Sequence, residues 1–171
     1  MCIRDRLWAA GVRASRLGKV LAERTGAQLD PAGRVIVEPD LSLPGHPEIF
    51  VIGDLSSFTH QGAKPLPGVA PVAMQQGSYV ARLIRSRVAG RAKPAPFHYF
   101  NKGNLATIGR NRAVAEFGKL HISGFPAWFT WVFVHLMYLV EFENRLLVFI
   151  EWVYNYLTRN RGARLITGGK P

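Results

Sequence analysis

Apolar runs alternate with turn-rich segments along the chain, and their spacing predicts strands first and helices later. Leu7 to Val12 (LWAAGV) reads as the end of a buried strand entering a glycine turn, with nothing apolar before it to complete that strand. Residues 14–24 put Leu17, Val20 and Leu21 on one helical face, and Gly26 is placed to end the helix. Pro31, Ala32 and Gly33 form a turn before Val35, Ile36 and Val37. After a turn-rich stretch from Asp40 to Pro47, Ile49 to Ile52 is an apolar run of the length expected of a strand buried on both faces, closing on Gly53 and Asp54. Val69 to Arg87 has helical spacing, with Ala73, Gly77, Val80, Ala81, Ile84 and Val88 on one stripe and Pro71 in the first turn.

The second half reads differently. Residues 91–103 are loop-like, and Leu105–Ile108, Ala113–Phe117 and Leu120–Ile122 predict two or three short strands. From Gly124 to Val140 no charge occurs for 17 positions. A helix from Ala127 to Phe142 would be only about 24 Å long at 1.5 Å per residue, and the run falls short of the ~20 apolar residues of a spanning helix. Trp128, Trp131, His135, Tyr138 and Phe142 form an aromatic stripe on it. Glu143, Asn144 and Arg145 predict a break, after which Leu146 to Leu157 resumes with Phe149, Ile150, Trp152, Val153, Tyr154 and Tyr156.

Composition narrows the classes. With 171 residues, 48% hydrophobic and only 19% charged, the chain is one ordinary domain with a core, or the tail of something larger, and is too apolar to be disordered. Its lone cysteine, Cys2, excludes an intrachain disulfide framework and a Cys-based zinc site, so redox chemistry would have to come from a bound cofactor. His60, His98 and His135 have no partners at metal-ligand spacing, so no metal site is expected. Met1 to Arg6 lack the apolar run of a secretory signal, and the unfinished strand behind them predicts a chain that begins in mid-domain.

Charge is unevenly placed. Residues 1–57 balance seven basic against seven acidic side chains, whereas the 15 Lys and Arg that follow face only Glu116, Glu141, Glu143 and Glu151. Two short Trp- and Tyr-rich helices ending in Arg159, Arg161 and Arg164 fit a hairpin lying in the headgroup region of an anionic membrane better than one that crosses it. Competing readings are a hairpin buried in a soluble core and a basic nucleic-acid-binding module. The latter is disfavoured, because no recognition motif accompanies the charge.

The chemistry centres on Asp54. In open parallel sheets ligands sit at the carboxyl ends of strands, where a carboxylate accepts hydrogen bonds from sugar or ribityl hydroxyls and an adjacent glycine lets the ligand approach the backbone. The rigid loop Pro65, Pro67, Gly68 then leads into a helix whose amino end offers unpaired N–H groups and partial positive charge, an environment suited to an anionic reduced flavin. An ordinary strand followed by a Gly-Asp turn is the plainer alternative.

Taken in order, LWAAGV at 7–12, GRVIVEPDLSLPGHPEIFVIGD at 33–54, PLPGVAPVAMQQG at 65–77 and the aromatic tail ending RGARLITG at 161–168 resemble the carboxyl-terminal part of the type II NADH dehydrogenases. These are membrane-associated flavoproteins that pass electrons from NADH to quinone without pumping protons. The resemblance implies an α/β fold: the carboxyl-terminal part of a doubly wound FAD/NAD-binding fold, followed by a short β meander and an amphipathic helical hairpin. Residues 1–13 would end the NAD-binding domain, with 1–6 unmatched, and 14–90 would be the carboxyl-terminal part of the FAD-binding domain. Loop and short strands would occupy 91–122, and the membrane-associated hairpin with its basic tail 123–171.

By the same likeness, Gly53, Asp54, Val69 and Ala70 bind non-covalent FAD, and Ala10 and Gly11 lie on the side of the NADH substrate. Gln75 and Gln76 lie on the quinone side, and Trp128, Trp131, Tyr138, Trp152 and Tyr156 contact the membrane. Pro71 stands where some members carry another glutamine, which leaves the quinone contact to Gln75 or Gln76. No GxGxxG occurs anywhere in the chain, so the pyrophosphate loops of both dinucleotides would belong to a missing amino-terminal part. The expected partners are quinone, an anionic lipid surface and that missing part, with a homodimer left open and nucleic acid excluded. The expected location is the cytoplasmic face of a bacterial cell membrane, as a peripheral protein. A noncatalytic membrane-docking fragment is the alternative.

Overall fold

The computed structural model describes residues 13–139 and 141–158, in two compact units that divide after Asn101. Expectations that fall on 1–12, Ala10 and Gly11 among them, or on the basic tail from Arg159 onward lie outside the described residues.

The first unit is α/β. Helix α1 (Leu17–Thr25) ends where Gly26 turns into the left-handed region at φ +73° and donates its N–H to Ala22 O. Its inward contact is made by Gly18, whose missing Cβ would lie 2.8 Å from Gly33 O, while Leu17 and Val20 of the expected apolar face are exposed. Strand β1 (Val35–Ile36) pairs in parallel with β4 (Ser56–Ser57). Between them β2 (Ser42–Leu43) and β3 (His46–Phe50) form an antiparallel hairpin, turned by Gly45 at φ +78°.

The run Ile49–Ile52 is therefore not a strand buried on both faces. His46–Phe50 is committed to the hairpin, Val51 N–H donates to Leu41 O, and only Val51 of the four apolar residues is buried, Ile52 being 39% exposed. Helix α2 (Ala70–Val88) carries Pro71 in its first turn as expected, but buries a different face. Val72, Gln76, Tyr79, Val80 and Leu83 point inward, whereas Ile84 and Val88 of the expected stripe are exposed. A reading by hydrophobicity rejects Gln76 and Tyr79 from a core face, and rotates the helix by about one position as a result.

The second unit is a three-stranded antiparallel meander and a helical hairpin. Strands β5 (Asn104–Thr107), β6 (Ala113–Phe117) and β7 (Leu120–Gly124) lie in sequence order, close to the expected bounds. Helix α3 (Phe125–Tyr138) packs on this sheet through Ala127, with Ala113 and Ala115 beneath it. Helix α4 (Phe142–Thr158) begins after Glu141, which adopts φ +68°, while Leu139 at the end of α3 is extended. The polar trio 143–145 is thus not the break but the first turn of α4: Glu143 sits at its positive end and Arg145 Nε donates to Leu139 O at 2.8 Å. Among the described residues no helix is long and apolar enough to cross a membrane.

Candidate functional site

Asp54 sits at the centre of the short turn Gly53–Leu55, which joins the hairpin to β4. Gly53 takes φ +68°, a conformation costly for a side chain with a Cβ, and this turns the chain sharply enough to expose the Asp54 carboxylate. The Pro65–Gly68 loop is pinned beside it by a bond from Leu66 N–H to Phe58 O at 3.0 Å. A methyl group added at Gly68 would lie 3.2 Å from Asp54 Oδ1, so a glycine is what lets this loop approach the carboxylate. The turn and the start of α2 are therefore neighbours.

Both line one cleft of about 790 Å³, together with Arg13, Ser15, Ala32 and Arg34. No side chain caps α2 and its first turn contains no acidic residue, so its positive end has no charged side chain of its own, although Pro71 has no N–H and the N–H groups of Val72 and Ala73 donate to Val69 O at 3.0 and 3.4 Å. From α2 the cleft is lined by Val72 and Gln76; Val69 and Ala70, the exposed N-cap and first residue of the helix, are not among its lining residues. Among the described residues nothing hydrogen-bonds to the Asp54 carboxylate.

Arg13 and Arg34 are cleft residues that reasoning from the sequence missed. Arg34 is fixed by Asp30, whose Oδ2 accepts from Arg34 Nε at 2.7 Å while Oδ1 accepts the N–H groups of Ala32 and Arg34, both at 2.9 Å. Burial pushes the Asp30 carboxyl up, but the Arg34 backbone and guanidinium outweigh it and hold the group below its ordinary value. The signal was present in Asp30-Pro31-Ala32-Gly33-Arg34, where an Asp opening a turn takes the following N–H groups and brings the arginine back over itself.

The two adjacent glutamines part company. Gln75 is half-buried and bonds both ways to the backbone of Phe100, its Nε2 donating to Phe100 O and its Oε1 accepting from Phe100 N–H, both at 2.9 Å. Gln61, which the sequence reading passed over, does the same for Tyr99 at 2.8 Å in both directions. Gln76 is fully buried, and its Oε1 accepts from Gly53 N–H at 2.7 Å.

In the second unit the aromatic stripe forms a seam. Trp131 stacks on Trp152 (5.6 Å between centroids, 12° between planes), and Trp128 packs against Tyr156 at 5.6 Å. Tyr138 stands exposed beside Lys102, whose Nζ donates to the phenol oxygen at 3.3 Å. Tyr138 and Tyr156 share the outward surface with Phe129, Phe133, Phe142, Leu146, Ile150 and Leu157, whereas Trp128, Trp131 and Trp152 are half-buried. Arg110 lies over the Tyr156 ring at 4.7 Å and donates to Tyr156 O.

These features define an α/β unit carrying a cleft, followed by a sheet-and-hairpin unit. Residues 101–160 match the NDH2 C-terminal domain, a span that coincides with the second unit. Over 95% of its length the chain is 48% identical to the type II NADH:quinone oxidoreductase NdhA of Mycobacterium tuberculosis and 46% identical to Ndh of the same organism, covering 34% of each. It is 32% identical to the internal alternative NAD(P)H-ubiquinone oxidoreductase A1 of Arabidopsis thaliana mitochondria, over 88% of this chain and 32% of that protein. The structure of NDH2 from Plasmodium falciparum in complex with NADH has the same fold, with a TM-score of 0.73 at 17% identity over 92% of this chain and 46% of that one. The type II NADH dehydrogenases are what these relatives have in common, and the chain is similar to their carboxyl-terminal part. It spans about one third of the length of the curated relatives it matches.

Proposed function

We propose that this chain forms the flavin-facing and membrane-facing part of a non-proton-pumping NADH:quinone oxidoreductase. The observation that carries the reading is the one cleft lined by Gly53 and Asp54, by the Leu66–Gly68 loop and by Val72 and Gln76 in the first two turns of α2. The donor set fits FAD: a free carboxylate for ribityl hydroxyls, glycines at Gly53 and Gly68 for close approach, an uncapped helix end, and the guanidinium groups of Arg13 and Arg34 to balance phosphate charge. When bound, FAD would accept a hydride from NADH and pass two electrons on to quinone.

This chain's own residues bind and orient. Asp54 accepts hydrogen bonds from the ribityl chain, and Val69 and Ala70 present backbone at the start of α2. Ala10 and Gly11 belong to the NADH side. Gln75, at the surface of α2, is the candidate for a quinone carbonyl, and its amide is already oriented by Phe100. The second unit supplies attachment, because a hairpin with a wide apolar exterior and, among the described residues, no helix long and apolar enough to span suits the headgroup region of an anionic bilayer. On this reading the protein is peripheral, on the cytoplasmic face of a bacterial membrane.

The test is Asp54→Ala in the full-length protein. It should purify with less than a tenth of the parental flavin, while Gln75→Ala retains flavin, is reduced normally by NADH and slows in reoxidation by quinone. Full flavin occupancy in Asp54→Ala would overturn the assignment. A parent protein without flavin absorbance would leave the noncatalytic membrane-docking reading in its place.

A further inference from the structure

Gln76 is the least exposed of the buried polar residues described, at 0%, on a helix face otherwise given to Val72, Tyr79, Val80 and Leu83. Burying a primary amide in such a place is unfavourable unless its hydrogen bonds are made. They are made to a single structure, the turn that carries Asp54. Oε1 of Gln76 accepts from Gly53 N–H at 2.7 Å, and Nε2 lies 3.3 Å from Ser56 Oγ as a donor. The Ser56 hydroxyl in turn donates to Gly53 O at 2.9 Å. One side chain from α2 and one from β4 thus close a ring around Gly53–Leu55, gripping both the N–H and the carbonyl of Gly53.

The turn needs such a grip. Gly53 at φ +68° has no side chain to pack, Asp54 is exposed, and the turn closes through the bond from Ser56 N–H to Gly53 O. An apolar residue at 76 would fill the volume equally well but leave the Gly53 N–H without its acceptor. Gln76 is fully buried where its neighbour Gln75 is half-buried, and it is Gln76 that lines the cleft with Gly53 and Asp54.

We propose that Gln76 is a positioning residue for the flavin side of the cleft: it fixes the Gly53–Leu55 turn so that the Asp54 carboxylate is held in register with the start of α2, and it makes no contact with quinone. The proposal rests on the flavin reading of the cleft. It replaces the quinone-side role that the sequence suggested for this residue, and leaves that role to Gln75.

The experiment is a double-mutant cycle on flavin affinity in the full-length protein, using Gln76→Leu, Asp54→Ala and the pair, with Gln76→Glu and Ser56→Ala as companions. Gln76→Leu should raise the flavin Kd at least tenfold and alter the vibronic shape of the bound flavin's visible spectrum. The double variant should bind no more weakly than Asp54→Ala alone, because the glutamine acts through the carboxylate. Gln76→Glu retains an acceptor oxygen for Gly53 N–H and should recover most of the affinity, and Ser56→Ala, which removes one bond of the ring, should weaken binding about threefold. If Gln76→Leu fails to fold, the last two variants carry the test. Parental affinity in Gln76→Leu, additive losses in the cycle, or Gln76→Glu binding as weakly as Gln76→Leu would each overturn the proposal. A parent without flavin would overturn the site reading instead, a result distinguishable from all of these.

Discussion

The two units solve opposite problems with opposite means. In the first, a conventional apolar core is supplemented by side chains that seize backbone: Gln61 and Gln75 hold residues 99–100, Gln76 holds Gly53, and Asp40 holds Ser42 while meeting Lys93 Nζ at 2.6 Å. In the second, the fully buried core among the described residues is Ala113, Ala115 and Ala127, with Leu105, Phe117, Ile122 and Trp128 partly buried against it, and most large apolar side chains of α3 and α4 are exposed. Polar clasps fix the position of a cleft wall to a fraction of an ångström, because hydrogen bonds are directional. A thin core under a broad apolar exterior builds a surface, which needs area more than precision. The contrast separates a place where a ligand must be oriented from a place where a hairpin must adhere.

The contrast breaks most visibly where backbone geometry rather than side-chain area holds the second unit together. Gly103 adopts φ +108°, and a Cβ there would lie 2.4 Å from Glu116 O and 2.6 Å from the Phe117 ring. Strain and overlap together predict that Gly103→Ala destabilises the meander by about 4 kcal/mol. Three of the four tryptophans, Trp128, Trp131 and Trp152, belong to this unit. Thermal unfolding followed by Trp fluorescence should therefore shift well down in temperature. An unchanged midpoint would mean that the sheet yields easily at this point.

Next in size is the clasp at Asp40, which tests the first unit. Burial alone would raise this carboxyl, but the Lys93 ammonium and the Ser42 hydroxyl and N–H outweigh it and hold the pKa at about 2, against an ordinary 3.8. A carboxyl lowered on folding contributes stability above its unfolded value that disappears as pH falls through its folded one. Stability should thus be flat down to about pH 4 and fall by on the order of 2 kcal/mol towards pH 2. Asp40→Asn should remove that acid-dependent loss and, by giving up the carboxylate that Ser42 and Lys93 hold ionised, cost about 2 kcal/mol at neutral pH, Lys93 itself being largely exposed. Denaturant unfolding of both proteins at pH 7 and pH 3 checks the sign. A steeper acid loss in Asp40→Asn than in the parent would contradict it.

These clasps also mark what hydrophobic patterning does and does not record. The strands of the meander, α1 with its Gly26 stop and the proline-led start of α2 follow from periodicity and turn chemistry, which are local. The meeting of Asp54 with the PLPG loop was legible because both ends carry glycine where a ligand or another backbone comes close. The buried face of α2 was not, because Gln76 and Tyr79 enter the core on the strength of long-range partners that no window of sequence contains. The hairpin β2–β3 was missed for a similar reason: Ile49–Ile52 is apolar enough for a central strand, and only the Leu43-Pro44-Gly45 turn before it redirects the pairing. At residues 143–145 charge was mistaken for interruption, although an acidic residue in a first helical turn is what the helix dipole favours.

The smallest expected effect is the most informative about the second unit, because it separates adhesion from folding. Phe133 lies on α3 two residues beyond Trp131 but on the outward side, 57% exposed, whereas Trp131 is half-buried in the seam against Trp152. Phe133→Ser removes apolar area already in contact with solvent, so the unfolding midpoint should be unaffected to within about 0.5 kcal/mol. At a membrane that ring would be buried in part, and its loss should cost about 1 kcal/mol of partitioning, roughly a fivefold weaker association with vesicles containing anionic lipid. Trp131→Ala should behave the other way round: because it opens the seam, it should lower the unfolding midpoint more than Phe133→Ser does. Sedimentation with vesicles, run beside thermal unfolding for both variants, distinguishes a hairpin whose outer face meets lipid from one whose exposed rings belong to a soluble packing surface, for which neither variant would change vesicle binding.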